Sequence, residues 1–229
     1  MATIGPAKWR SRSAWAMLQH ELATVGGRVG HGGRLILVTG SAPAAAHSLL
    51  RGALSCPDCG GPVAPYGFAR PRMLRGLAAT TELRPRRARC ASCAKTHVVL
   101  PGEVVPRRRD DASVIGRALL RAATGARPAE IAAELGRSSS TVRNWLRRLS
   151  EHASDLHGFA RRALLTYDAS ADPMRLVWLE SPVARAVEAL GAAAAAVVRR
   201  QGPLPSDATL WGVVCVLTRG RLLAPDFSP

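Results

Sequence analysis

The sequence predicts an α+β protein with a small four-cysteine β module, a three-helix domain after it and a mainly helical C-terminal region. Two C-x-x-C pairs lie in a stretch dense in Gly, Pro and Arg, helical periodicity begins after a proline-rich linker, and positive charge is concentrated between 70 and 149. These observations divide the chain into a loose arm at 1–33, a lead-in and β module at 34–105, the three-helix domain at 111–150 and a helical packing region at 151–229.

Composition and hydropathy favour a folded protein that is not embedded in a membrane. The 229-residue chain is 47% hydrophobic and 21% charged, so it can bury a core and is not expected to be wholly disordered. No apolar run approaches the roughly 20 residues needed to cross a bilayer, and no apolar signal-peptide core follows the basic N-terminal residues. We therefore expect a cytoplasmic protein without a membrane partner.

The formal net charge of +16 is unevenly distributed along the chain. Residues 1–69 carry six Lys or Arg against two Asp or Glu, residues 70–149 carry eighteen against six, and residues 150–229 carry eight against eight. A coding bias toward arginine explains why arginine outnumbers lysine, but not why acidic residues are outnumbered so heavily in one segment. Concentrated basicity of this kind indicates a phosphate-bearing partner such as nucleic acid.

Short elements are predicted on both sides of the cysteines. The apolar run at 34–39 predicts a strand, 42–53 a helix and 96–100 a second strand. The linker PGEVVPRRRDD at 101–111 follows, and Asp111 is placed to cap the next helix.

The paired cysteines are the strongest chemical signal in the sequence. Cys56 and Cys59 form one C-x-x-C pair and Cys90 and Cys93 another, which is the arrangement of a tetrahedral four-cysteine zinc site with each pair on a tight turn. Gly60 follows the first pair and lets the backbone bend so that amide N–H groups point at sulfur. We therefore expect Zn²⁺ bound by these four cysteines in a zinc ribbon. Because all four positions are filled, the ion would be structural.

Disulfide and redox roles fit the cysteines less well than a metal site does. A disulfide framework is disfavoured in a cytoplasmic protein, and a thioredoxin-type redox centre needs only one C-x-x-C. His97 follows the second pair but is not needed to complete four ligands, and Cys215 fits a small buried residue. The spacer at 60–89 is longer than in ordinary zinc ribbons and predicts an extra loop around 71–80.

Part of the basic charge has a local role at such a site. Four thiolates around Zn²⁺ leave a formal charge of −2, which Arg87, Arg89 and Lys95 would offset. The remaining arginines of the β module are left for an outside partner.

A helix-turn-helix pattern lies at 127–149, RPAEIAAELGRSSSTVRNWLRRL. Gly136 stands where a tight turn needs positive φ, the small Ala132 lets two helices cross closely, and Val142 fills the space between them. Arg137 departs from the pattern, because an aliphatic residue is usual at that turn position. An ordinary αα-hairpin with a solvated basic face is the alternative interpretation.

The second helix of this pattern carries polar and basic residues suited to DNA. Ser138 or Ser139 is placed to cap it. Arginine can pair bidentately with guanine and asparagine with adenine in the major groove, whereas hydroxyl groups and further arginines suit phosphates. The residues expected to contact DNA are Ser139, Ser140, Thr141, Arg143, Asn144, Arg147 and Arg148 of the helix and Arg84, Arg86 and Arg87 of the β module.

Together these motifs resemble a known family. CPDCGG at 56–61, RCASCAKTHVVLP at 89–101 and TVRNWLRR at 141–148 are similar to an uncharacterised high-GC bacterial (actinobacterial) family with a transposase-like zinc ribbon followed by a helix-turn-helix. The ending WGVVCVLTRGRLLAP, from Trp211, is similar to that family as well. The resemblance implies this architecture and, through kinship with the DNA-binding end of insertion-sequence transposases, double-stranded DNA as the partner.

The sequence favours a non-enzymatic, sequence-specific DNA-binding protein of the transcription-regulator type, associated with the nucleoid. A truncated or active insertion-sequence transposase is one alternative, because Asp168 in LLTYDAS ends an apolar run and could be a catalytic carboxylate. Only 61 residues follow Asp168, however, and the fold that gathers three catalytic carboxylates around metal ions is larger. A protein-interaction module is the second alternative, because the neutral region 150–229 and its alanine-rich helix from Pro182 suit packing or homodimer formation. Ser206 is expected to cap the last helix.

Overall fold

A computed structural model describes residues 29–32, 35–172, 179–201, 204–205 and 207–224, and over these residues the predicted α+β class is confirmed, with seven helices and two sheets. The strands are β1 (Val29–Gly32), β2 (Leu35–Val38), β3 (Val63–Phe68), β4 (Arg72–Arg75), β5 (Thr80–Leu83), β6 (Arg86–Cys90) and β7 (Thr96–Pro101). The helices are α1 (Ala42–Leu50), α2 (Ala112–Ala123), α3 (Pro128–Leu135), α4 (Ser139–Glu151), α5 (Ala153–Tyr167), α6 (Pro182–Gln201) and α7 (Leu210–Leu217).

The main sheet has five strands in the order β1-β2-β7-β6-β3. β2 and β7 run parallel, and the remaining neighbours are antiparallel. Both faces of the central strands are covered: Ile36 and Val38 cluster with α1 and two of the cysteines, whereas Leu37 and Leu100 cluster with residues of β4, β5 and α7. A strand covered on both sides needs apolar residues at every position, which explains the uninterrupted LILV of β2.

Two predicted segments differ in detail from the observed elements. Within the segment expected to be a loose arm, Val29–Gly32 pairs with β2 as β1, and residues 1–28 of that segment lie outside the described part of the chain. The loop expected around 71–80 is an ordered hairpin of β4 and β5, which pair antiparallel from Arg72↔Leu83 to Arg75↔Thr80.

Helices α2, α3 and α4 form a compact unit whose ends are set by the residues expected from the sequence. Asp111 caps α2, its Oδ1 accepting from the Val114 N–H at 2.8 Å. Gly136 ends α3 with φ of +60°, a left-handed conformation that glycine adopts without strain. Ser138 caps α4, its Oγ accepting from the Thr141 N–H at 3.3 Å.

Helices α5 and α6 add a second layer to this unit. Most of α6 is buried, and its alanines share one core cluster with α2, α4 and α5, because small side chains let helices approach closely. Pro182 is the first residue of α6, as predicted, and the Ser181 hydroxyl accepts from the Ala184 N–H at 3.4 Å. None of the described helices is both long and apolar enough to cross a bilayer.

The last helix, α7, lies against both the sheet and α2. Its N-terminal cap is Thr209, whose Oγ1 accepts from the Gly212 N–H at 3.0 Å, and the expected cap Ser206 lies outside the described residues. A Cβ built at Gly116 of α2 would overlap the Trp211 indole, and one at Gly102 would lie 2.8 Å from the Gly212 carbonyl oxygen. Glycine is therefore required where α7 crosses its two neighbours.

We expect Gly116→Ala to lower the free energy of unfolding by about 1–3 kcal/mol, because the added methyl group displaces a buried indole. Gly158→Ala is the matched control, since a Cβ there meets only the end of the Arg162 side chain, at 3.5 Å. That control should raise stability by up to about 1 kcal/mol, because alanine is the better helix former. Urea denaturation of the two variants measures both effects, and equal stabilities would contradict the close contact.

Candidate metal centre and adjoining basic surface

Two equivalent turns carry the four cysteines. In each turn the N–H of the first cysteine donates to the carbonyl five residues later, at 2.7 Å for Cys56 and 2.9 Å for Cys90. The residue after the second cysteine, Gly60 or Ala94, has φ of +73° or +59° and donates its N–H back to the first cysteine's carbonyl. The left-handed residue expected after the first pair thus recurs after the second, where an alanine adopts it.

The sulfur atoms of the four cysteines lie within 4.8 Å of one another. Cys56 Sγ is 3.6 Å from Cys93 Sγ, and Cys59 Sγ is 3.5 Å from Cys90 Sγ. Four thiolates placed tetrahedrally at about 2.3 Å from a zinc ion would be separated by about 3.8 Å. The cysteines predicted to form one site are therefore close enough to hold a metal ion.

Backbone amides and neighbouring thiols shift the pKa values of Cys90 and Cys59 in opposite directions. The N–H groups of Cys93 and Ser92 lie 3.5 and 3.4 Å from Cys90 Sγ, and these hydrogen bonds lower the pKa of Cys90 to about 6. The Gly61 amide acts on Cys59 in the same direction, but hydrogen bonding with Cys90 and Cys93 raises the pKa of Cys59 to about 12. Thiolates are the form that binds a metal ion, so metal binding at this cluster would release protons.

His97 is a neighbour of the cysteine cluster whose part the spacing did not reveal. Its ring is 1% exposed, and Nε2 lies 3.3 Å from Cys56 Sγ, so a protonated Nε2 donates to that sulfur. The Nδ1 atom is buried without a hydrogen-bond partner among the described residues. Asp58 and Lys95 join the two turns from outside, with Nζ 2.9 Å from Oδ2. The alternation of β7 could have indicated this role, because it places His97 on the same buried side of the strand as Val99.

Purified protein should contain about one metal ion per chain, and Cys90→Ser should lose most of it, because a hydroxyl is a poor substitute for a thiolate ligand. Cys215→Ser is the matched control: Cys215 is buried far from the cluster, with Sγ 3.4 Å from the Val104 carbonyl oxygen. Elemental analysis after gel filtration gives the stoichiometry. A full metal complement in the Cys90→Ser, Cys93→Ser double variant would refute the site.

Three of the arginines expected to contact DNA lie on β6 and the turn before it, stacked against two aromatic residues of β3. The aromatic rings are 48% and 44% exposed and were not among the predicted contact residues. Arg84 and Arg86 lie over Phe68, 4.7 and 4.5 Å from the ring centroid, and Arg87 lies over Tyr66 at 5.8 Å. A fourth arginine of β6, Arg89, also lies over Tyr66, at 5.5 Å, and we call the four arginines and two aromatic residues the arginine–aromatic surface.

The exposed residues of α4 are partly bonded to one another. Asn144 Oδ1 accepts from Arg147 Nη2 at 3.0 Å and from Arg148 Nε at 3.3 Å. Arg147 also pairs with Glu151. Arg143 is exposed and has no ion pair or side-chain hydrogen bond with any described residue. Arg143 is therefore the cation of this helix face that is most available to a partner.

The first turn of α4 carries a cluster of hydroxyl groups. The Ser138 Oγ lies 3.1 Å from the Ser140 Oγ and 2.8 Å from the Thr141 Oγ1. Ser139, also expected at the contact surface, is half-buried. These hydroxyls lie at a helix N-terminus, where unpaired N–H groups and the helix dipole favour an anion.

Arg137, the residue that departs from the turn pattern, connects the helices to the β module. Its Nε lies 2.5 Å from Oδ1 of Asp110, a carboxylate only 3% exposed, and its Nη2 donates to the Gly76 carbonyl at 3.1 Å. Arg75 of β4 binds the second carboxylate oxygen at 2.6 Å. The hairpin, the linker and the α3–α4 turn therefore meet at one buried charge.

A group of arginines beside α4 lacks acidic partners. Arg72 donates to the Arg108 carbonyl, and burial lowers the pKa of Arg72. Burial, followed by the charges of Arg148 and Arg107, lowers the pKa of Arg108. None of these four arginines forms an ion pair with a carboxylate in the described part of the chain. We call Arg72, Arg107, Arg108 and Arg148 the cationic edge.

Asp168, the candidate catalytic acid of the transposase alternative, is bonded to neighbours after the end of α5. Its Oδ1 accepts from the Ser170 hydroxyl at 2.6 Å and its Oδ2 from Arg199 Nη2 at 3.0 Å. These hydrogen bonds, that of Ser170 first, lower the pKa of Asp168. Asp168 is not part of either group of potential metal ligands in the described residues, which are the four cysteines and the set Cys56, Asp58 and His97.

Residues 56–145 match the model of a family described as Domain of unknown function (DUF6431). The chain carries a DUF6431 domain. The match begins at the first ligand cysteine and ends at Trp145 in α4, so the DUF6431 domain includes the cysteine cluster, the hairpin, the linker and most of the three-helix unit. No curated protein and no solved structure matches the chain.

Arg137→Ala should lower the free energy of unfolding by about 2–4 kcal/mol, because it leaves the buried Asp110 with one of its two cationic partners. Arg127→Ala is the control, since the Arg127–Glu130 pair is at the surface, with side chains 81% and 47% exposed, and solvent screens such pairs so that they contribute little. Urea denaturation compares the two variants. An equal, small effect of both would show that the Asp110 contact does not hold the units together.

Proposed function

We propose that this protein binds duplex DNA, with α3 and α4 acting as a helix-turn-helix, α4 reading the major groove and the four-cysteine cluster holding a structural Zn²⁺. The observation that carries the proposal is the cationic edge beside α4. Arg108 and Arg148 lie close enough for their charges to interact, and no carboxylate of the described residues forms an ion pair with either of them. Clustered like charges destabilise a folded protein unless an outside anion neutralises them, and duplex DNA carries a phosphate on each strand about every 3.4 Å.

The exposed face of α4 supplies candidates for base recognition. Arg143 is free to make a bidentate contact with guanine O6 and N7. Asn144 holds Arg147 and Arg148 through its carbonyl oxygen, which leaves its amide N–H₂ group free to donate. This arrangement orders two arginines before DNA arrives, so less side-chain entropy is lost on binding.

The arginine–aromatic surface extends the basic area onto the β module. Stacking on Phe68 and Tyr66 restrains the guanidinium groups without neutralising them, so they remain available to phosphates. If about six phosphates are contacted in all, affinity should fall about a thousandfold between roughly 50 and 200 mM salt.

Zinc fits the cysteine cluster because four thiolates at tetrahedral spacing are the donor set it prefers in structural sites. The metal would tie β6 and the turn before β7 to the segment that precedes β3, and would thereby hold the arginine–aromatic surface in place. With four protein ligands there is no open position for substrate, so the ion would contribute to folding and not to chemistry.

A regulator-type role fits this proposal better than DNA cleavage, because Asp168 is bonded to Ser170 and Arg199. The neutral C-terminal helices would then serve packing or homodimer formation.

The test is selection of bound sequences from a random duplex pool, followed by binding measurements with variants. Arg143→Ala should relax sequence preference by about 1–3 kcal/mol at one position, whereas Arg148→Ala should weaken all duplexes alike and reduce the salt slope by about one. Arg162→Ala, which removes an exposed arginine of α5, is the control and should change neither.

Three results would count against the proposal. Absence of duplex binding by zinc-loaded protein would overturn it, and equal loss on selected and random duplexes from Arg143→Ala would remove base reading. Magnesium-dependent strand cleavage that disappears in Asp168→Ala would establish a transposase instead.

A further inference from the structure

The β4–β5 hairpin lies inside the DUF6431 domain but takes no part in the metal centre. It is inserted between the two cysteine pairs, yet it forms its own two-stranded sheet and contains no cysteine. Leu74 and Leu83 anchor its inner side in the core shared with Leu37 and Leu100. Its tip, residues 76–79, is exposed from Leu77 onward.

The tip is held beside the start of α4. The Gly76 carbonyl accepts from Arg137 Nη2 at 3.1 Å, and Arg137 directly precedes Ser138, the N-terminal cap of α4. At the base of the tip, the Arg75 N–H donates to the Arg109 carbonyl at 2.7 Å and the Asp111 N–H donates to the Arg75 carbonyl at 3.1 Å. One arginine side chain therefore spans the distance between the hairpin tip and the first turn of α4.

The hairpin exposes apolar side chains that are close in sequence to arginines. Leu77 at the tip is 54% exposed and Met73 on the outer strand face is 46% exposed. Arg72 of the cationic edge lies in the same strand as Met73, and Arg70 precedes that strand. Proteins that bind the minor groove combine arginines, which contact the backbone and base edges, with exposed apolar side chains, which insert between base steps.

We propose that the β4–β5 hairpin is a second DNA-contacting element, with Leu77 entering the groove next to the one read by α4. This inference rests on the proposed function. The N-terminal residues of a reading helix point at base edges, so an element bonded to that end of α4 lies over the flanking duplex. The hairpin thereby acts as a wing supplied by the β module, and its position is set by Arg137.

The experiment uses the full-length, zinc-loaded protein and a duplex selected from the random pool. Leu77→Glu should weaken binding about tenfold, because it places a carboxylate against phosphates and removes the apolar contact. Its hydroxyl-radical footprint should lose protection on one flank and keep the central protection assigned to α4. Leu77→Ala should lose the same flank with a smaller change in affinity. Leu165→Glu, an equivalent change at a 42% exposed leucine of α5, should alter neither.

The outcomes separate the two proposals. If the wild type binds no duplex, the proposed function fails and the hairpin's role with it. If the wild type binds and both Leu77 variants keep its affinity and complete footprint, the hairpin proposal alone is overturned. Unchanged DNA binding together with loss of a dimer in sedimentation of Leu77→Glu would also overturn it and would assign the tip to self-association. Unchanged zinc content and thermal midpoint in the variants show that they are folded.

Discussion

The buried carboxylate of Asp110 is the interaction on which the arrangement of this molecule depends. A charge that is almost withdrawn from water is tolerated only when it is paired and fully hydrogen-bonded, and Asp110 has arginines from opposite sides, Arg75 of the hairpin and Arg137 of the α3–α4 turn. Each arginine belongs to a different unit, so neither unit can move away without taking one of the two cationic partners from the buried carboxylate. The linker that carries Asp110 is therefore a fixed joint and not a flexible tether.

That joint gives a physical reason for the position of the basic residues. The cysteine cluster organises one end of the β module, and the hairpin inserted between the cysteine pairs reaches the three-helix unit at the opposite end. The cationic edge lies where the two units meet, and its arginines come from β4, the linker and α4. Because the cationic edge contains residues of both units, its arginines lie together only while Asp110 remains bound to Arg75 and Arg137. Positive charge that is spread over two segments of sequence thereby becomes one surface in space.

Much of this fold follows from local physical chemistry that a sequence displays. The cysteine pairs are predictable because a short spacing forces both thiolates toward one point, and Gly136, Asp111 and Ser138 are predictable because turns and caps demand particular residue types. The sequence predicts only a loop at 71–80, because the hairpin found there is anchored by the packing of Leu74 and Leu83 on residues distant in sequence. The same reason hid the stacking of arginines on Phe68 and Tyr66, since strand register brings β3 against β6. Arg137 could be recognised as unusual, but its partner Asp110 could not be identified from spacing.

The position of α7 has a consequence for how the chain reaches its native state. Val216 of this helix packs in the core cluster that contains Leu37 and Leu100, and Trp211 covers Gly116. The residues that these two side chains contact precede them in the sequence by about a hundred residues or more. During synthesis the sheet and the three-helix unit emerge first, and they expose apolar surface that α7 covers in the native state. Final consolidation must therefore wait until translation has passed residue 217, and contacts so distant along the polypeptide slow this last step.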